Sequence, residues 1–196
     1  MTPIEIGRLL RASTTGFVAG CRVSQLTVPA FGALVRAPLE EEYQVYGLIY
    51  DIHIEDDGLV RQLVTAEAIS DEVMRDNRER RIVPVEMSVL AVGYEKSGQI
   101  FHLLPPRPPL SLDVLFSCSP AELERFVKAG RFGYFRHILN AKDVPLSEVL
   151  GAHIQQVRQV TQDQAWADAA LHELIRLLRD EYAVLMSVLG ALSDAL

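Results

Sequence analysis

Cysteine is scarce in this sequence, and its scarcity excludes two kinds of scaffold at once. Only Cys21 and Cys118 are present, far apart and outside any Cys-x-x-Cys or Cys/His spacing. They read as reduced, small buried hydrophobes rather than as a disulfide or zinc framework. A Gly-Lys dipeptide is absent altogether. A phosphate-binding loop needs glycines that let backbone amides approach phosphate and a lysine that meets its charge, so P-loop nucleotide hydrolysis has no seat here. The nearest glycine pair, Gly16 and Gly20, lacks the lysine and sits in a strand pattern. Long apolar runs are missing too: the stretch around Tyr182–Leu192 falls well short of the roughly 20 residues a bilayer crossing needs, so no membrane partner is expected. The opening MTPIEIGRLLRAS has neither the apolar segment nor the cleavage site of a secretory signal, which sets the expectation of a cytoplasmic protein. Positive charge is in deficit as well, 19 Lys and Arg against 26 Asp and Glu for a net charge of −7. That balance disfavours a dedicated nucleic-acid binder, although it leaves room for a local basic patch.

What is present is an ordinary globular composition, 49% hydrophobic and 23% charged over 196 residues. The length suits one compact domain, or a domain of about 110 residues with a helical appendage. From Ile4 to Val64, short runs rich in Val, Ile, Leu and Tyr alternate with Gly, Pro, Asp and Ser, which predicts strands at Ile4–Ala12, Phe17–Leu26, Ala33–Ala37 and Tyr43–Ile54. In the last of these, alternation places Val45, Gly47, Ile49, Asp51 and His53 on one face and Tyr46, Leu48, Tyr50, Ile52 and Ile54 on the other. The charged segment Thr65–Arg81 has a helical spacing and predicts one crossover helix. Strand pattern returns at Ile82–Tyr94 and, after the turn in GYEKSGQ, at Ile100–Leu104. Five or six short strands and one crossover favour a closed barrel, because closure removes exposed edges.

The PPRPP run at Pro105–Pro109 cannot continue a strand ladder and marks the best internal boundary. The fold expected is therefore α+β: a small antiparallel, Greek-key-like β-barrel with one crossover helix over 1–110, then a helical region over 111–196. Ser119 and Pro120, followed by Glu122, fit an N-cap and first turn for a helix to Lys128. A second helix spans about Gly133–Ala141, and Ser147 fits the cap of a further turn or short helix. Asp163–Leu196 reads as one long amphipathic helix. Its Leu171, Ile175, Leu178, Tyr182, Leu185, Leu189 and Leu192 recur at alternating spacings of four and three, a stripe able to dock on the barrel or on another copy.

Several segments resemble the HAS-barrel family, the small β-barrel found in HerA-type DNA translocases and in rotary ATP synthase subunits. IGRLLRASTTGF (Ile6–Phe17) is similar to its opening strand and small polar turn, and YGLIYDI (Tyr46–Ile52) to its central strand. IVPVEMSVLAVGYE (Ile82–Glu95) and PPRPP resemble its last strands and exit, so the likeness spans about the first 120 residues. It implies a structural role, since in the translocases the barrel caps a ring, helps subunits associate and offers a docking surface to a nuclease. ATPase activity lies in the domain that follows the barrel there, and it is not carried over to a chain without the phosphate loop.

Candidate chemistry in the residues themselves is sparse, and no cofactor is expected. Asp51, His53 and Glu55 alternate, a spacing that suits either a metal or acid/base site or the solvent face of a strand. No Gly-x-Ser-x-Gly elbow occurs, and the cysteines have no local histidine. His137, His153 and His172 fall in helical patterns and read as partly exposed surface residues. The segment Ala129–Lys142 joins Arg131, Arg136, His137 and Lys142 to Phe132, Tyr134 and Phe135, with Arg125 and Lys128 just upstream. Arginine beside aromatics suits base stacking and phosphate, or else a helix-to-barrel junction with its cations snorkelling outward. The expectation is a non-catalytic assembly or adaptor protein that self-associates or holds a protein partner. An accessory factor of a DNA translocase or nuclease, using Arg125, Arg131 and Arg136, is the alternative, and a small enzyme or metal protein using Asp51 and His53 the second.

Overall fold

The structure is a computed structural model that describes residues 4–24, 29–40, 42–54 and 82–195. Its strands are β1 (Ile4–Ala12), β2 (Gly16–Ser24), β3 (Leu34–Glu40), β4 (Tyr43–Ile54), β5 (Ile82–Lys96), β6 (Gln99–Phe101) and β7 (Val114–Ser117). The sheet order β2-β1-β7-β3-β4-β5 closes on itself through a β2–β5 pairing, which makes a six-stranded antiparallel barrel. Strand β6 hangs outside it as the second leg of a hairpin whose turn, Ser97-Gly98, has both residues at positive φ. In the barrel, β3, β4 and β5 are sequential neighbours and β2 lies beside β5, so the run β2-β5-β4-β3 is a Greek key. The crossover helix expected at Thr65–Arg81 lies outside the described residues, as does Glu55.

Two cores share the middle strands. Leu9, Val35, Val45, Ile49, Met87 and Leu115 fill the barrel. On the outer face, Tyr46, Leu48, Leu90 and Val92 meet Phe126, Tyr134, Ile138, Leu150, Ile154 and Leu174 of the helices. The middles of β4 (residues 45–49) and β5 (residues 89–93) are thus buried on both sides, which explains why their sequences are apolar there without alternation. Bulges interrupt the alternation. The register shift between Ile49 and Asp51 makes Tyr50 the extra residue and moves Ile52 into the barrel, off the Tyr46 face on which strict alternation places it.

The described helices are α1 (Pro120–Lys128), α2 (Phe135–Leu139), α3 (Leu146–Thr161), α4 (Gln164–Leu177) and α5 (Tyr182–Ala195). Helix α1 starts where Ser119 and Pro120 indicate: the Ser119 hydroxyl accepts from the Glu122 N–H, and the Glu122 carboxylate accepts from the Ser119 N–H at 2.8 Å. Three features differ from expectation. Strand β7 lies beyond residue 110, inside the half read as helical, and it closes the barrel between β1 and β3. Helix α3 runs to Thr161 where only a turn or short helix was expected, and no side chain caps its start. Most consequentially, the long helix over Asp163–Leu196 is two helices, divided at Leu178–Glu181. Among the described residues, no helix is long and apolar enough to cross a membrane.

Candidate functional site

The break at Leu178–Glu181 decides what the apolar stripe does. Helix α4 buries Trp166, Ala170 and Leu174 and ends with Leu178 at its C-cap, where the Leu178 N–H donates to the Leu174 carbonyl. Helix α5 then lies along α3. The Ser147 and Ser187 hydroxyls are 2.8 Å apart. One turn further on, a Cβ at Gly151 would sit 3.3 Å from the Ala191 carbonyl oxygen, so glycine permits close approach. Both pairs rise in the same direction along the chain, hence α3 and α5 run parallel. A continuous helix could not place residues 182–195 there.

The stripe is accordingly divided between interior and surface. Leu178 and Leu192, expected to contact a partner, are each only 2% exposed and belong to the molecule's own helical core. Leu171, Leu185 and Leu189 are half-buried, while Ile175 and Tyr182 are exposed. The corner where α4 passes into α5 also exposes Leu177 and Met186, and Tyr182 reaches 73% exposure. From Tyr182 to Ser193 no charged side chain occurs, so the exposed Tyr182, Ala183, Met186, Ser187, Gly190 and Ser193 present none. An exposed helical face with this composition is unusual on a free surface.

The basic-aromatic segment is mostly structural. Tyr134 and Phe135 are fully buried, so no stacking surface forms from them. Arg125 grips Glu95 through two charge-assisted bonds of 2.8 and 2.7 Å. Glu95 also accepts from the Tyr46 hydroxyl at 2.7 Å and from Gln44 at 2.6 Å. Burial pushes the Glu95 carboxyl up, but the bonds from Tyr46, Gln44 and Arg125 outweigh it and hold the group below its ordinary range. Arg136 and His137 both donate to the His102 carbonyl and so tie α2 to the exit of β6. Arg131 is exposed. Arg125 itself stays half-exposed, and the buried member of the pair is Glu95, the acid that ends the apolar alternation of β5.

His153 corrects the reading of the helical histidines as surface groups, because it is fully buried. Its Nε2 accepts from the Tyr134 hydroxyl at 3.0 Å, and its Nδ1–H donates to the Gly32 carbonyl at 3.3 Å. Desolvation lowers its pKa to about 4, so the ring is neutral and latches α3 to α2 and to the barrel. Asp51 and His53 are exposed, opposite Ser88 and Glu86 of β5. His102 follows Phe101, whose partner Tyr94 stands eight positions along β5 from Glu86, about 26 Å at strand rise. Among the described residues, no group of three or more His, Cys, Asp or Glu side chains is placed to hold a metal ion. Both thiols are free and burial pushes their pKa values up. No known family and no curated protein matches the chain.

Proposed function

We propose that this protein is a non-catalytic assembly module, a small barrel whose helical layer joins one copy to another through the α4–α5 corner. The observation that carries this reading is the exposed face of Tyr182–Ser193, which holds no charge, together with Ile175 and Leu177 exposed at the end of α4 among the charged Arg176, Arg179 and Asp180. Leaving such side chains in water is unfavourable, and each one buried fully in a contact is worth about 1.5–3 kcal/mol. The likeness of the first 120 residues to HAS-barrels supports the same reading, since those barrels serve in subunit association.

Sedimentation velocity tests it. The unaltered protein is expected to sediment as a concentration-dependent oligomer, and Tyr182→Asp with Met186→Asp to give a monomer of unchanged circular dichroism, both sites being solvent-exposed. Leu178→Asp is the contrasting variant and should unfold the helical layer rather than split an oligomer. A monomer at every concentration for the unaltered protein, or an oligomer that survives both corner substitutions, refutes the proposal.

A further inference from the structure

Where the rim of the barrel meets the helical layer, the surface opens into a cleft of about 680 Å³. That volume lies within the range of small-molecule sites. One wall is the β1–β2 turn with the middle of β5, and the other is the end of α2 with the segment running to Val144.

The lining has a definite chemistry. Arg11 stands on the barrel wall and Lys142 on the helical wall, and among the described residues no Asp or Glu lines the cleft, although acids outnumber bases in the chain, 26 to 19. Among the described residues, neither Arg11 nor Lys142 pairs with a carboxylate. Other cations do: Arg36 with Glu122, Arg125 with Glu95, Lys128 with Glu124 and Asp163. Burial holds His137 below its ordinary pKa, so at neutral pH Arg11 and Lys142 supply the cleft's charge. Tyr50, Leu104 and Val144 add an apolar seat, and Ser88 and Asn140 add neutral hydrogen-bonding groups.

Backbone irregularities bring these groups together. Regular alternation would turn Arg11 inward with Leu9, but the register shift between Leu9 and Arg11 inserts Leu10 and brings Arg11 out to the cleft. The second bulge is at Tyr50 itself. The turn between β1 and β2 is fixed, with Ser13 N–H donating to the Gly16 carbonyl at 2.8 Å and the Ser13 hydroxyl accepting from the Gly16 N–H at 3.2 Å. A rigid wall loses little freedom when a ligand settles against it.

We infer that the cleft binds a small organic anion, an apolar body bearing a carboxylate or phosphate group. Arg11 and Lys142 hold the anionic head from opposite walls, and the apolar part rests on Tyr50, Leu104 and Val144.

The test titrates octanoate, octyl phosphate and neutral octanol into the full chain by calorimetry, with backbone amide shifts read in parallel. At least one anion should bind with 1:1 stoichiometry and move the amides of Thr15, Gly16, Ser88 and Lys142. Octanol should bind more weakly than that anion. Arg11→Gln and Lys142→Gln lie on exposed side chains, and each should weaken the anion about tenfold, the double variant about a hundredfold, at unchanged circular dichroism. Preference for octanoate or for octyl phosphate identifies the head group, and either preference supports the site. Failure of both anions to bind overturns it, as do binding indifferent to the double variant, equal affinity for octanol, and shifts that map to the α5 face instead.

Discussion

Acid should loosen this fold through His153 well before its carboxylates titrate. The ring is fully buried with both nitrogens engaged, and its pKa lies near 4 against about 6.5 for a solvated imidazole. The unfolded chain therefore binds a proton that the folded chain refuses between those values, so stability rises with pH across the window and is lost as pH falls from about 6.5 towards 4. The whole difference is about 3 kcal/mol, and about 2 kcal/mol of it is lost between pH 7 and pH 5. Trp166 is the single tryptophan and sits in the same helical core, so its fluorescence in urea reports the transition. His102 and His137 also have pKa values lowered by burial and act in the same direction. The comparison is consequently between the unaltered protein and His153→Gln, which keeps a polar side chain but cannot titrate. The variant should lose about 2 kcal/mol less than the parent on going from pH 7 to pH 5. Should it prove too unstable to fold, the ring resonances of His153 in the unaltered protein decide directly. Equal pH dependence in the two proteins, or a folded-state His153 titrating near 6.5, refutes the reasoning.

The Glu95 network gives a second outcome. Arg125→Ala removes two charge-assisted bonds to a carboxylate whose side chain is 9% exposed, and should cost about 2 kcal/mol in urea unfolding, whereas Arg131→Ala should stay within about 0.5 kcal/mol. The positive-φ glycines form a controlled pair. Gly98→Ala, with open space around its Cβ, should lower stability by about 1 kcal/mol, the left-handed penalty alone. Gly32→Ala places a Cβ 2.7 Å from that of Ala152 and beside the His153 latch, and should cost at least twice as much by the same assay.

The barrel was legible in the sequence to the extent that its strands follow a period of two. Strands β1 to β5 and the β5–β6 hairpin stand where alternation and turn residues indicate, and α1 starts at the Ser119-Pro120 signal. Strand β7 was not legible because VLFS is too short to carry a period and follows a proline-rich run; its partners in β1 and β3 make it a strand. The division between α4 and α5 was hidden for another reason. Neither glycine nor proline marks Leu178–Glu181, and the heptad spacing runs straight across it. The turn is imposed by packing, because Ser187 and Ala191 gain contact with Ser147 and Gly151 only if α5 lies along α3. The cleft eludes pattern reading altogether, since Arg11, Tyr50 and Lys142 are remote in sequence and meet through bulges.

These features also limit where association can occur. The outward barrel residues Tyr46, Leu48, Leu90 and Val92 lie beneath this chain's own helices. Uncovering them would expose a core rather than a docking face. The barrel surface that remains, around Leu10, Leu110 and Leu112, is exposed but is interleaved with Arg8, Ser111 and Asp113. It is stitched together by backbone bonds from Leu9 to Asp113 and from Leu112 to Leu9. On α5 the twelve residues from Tyr182 to Ser193 hold no charge and only serines interrupt the apolar and small residues, while the charged Arg176, Arg179, Asp180 and Glu181 are confined to the end of α4 and the turn before α5. The association proposed above therefore has the helical layer as its surface, because the packing of the helices removes the middle of the barrel from contact.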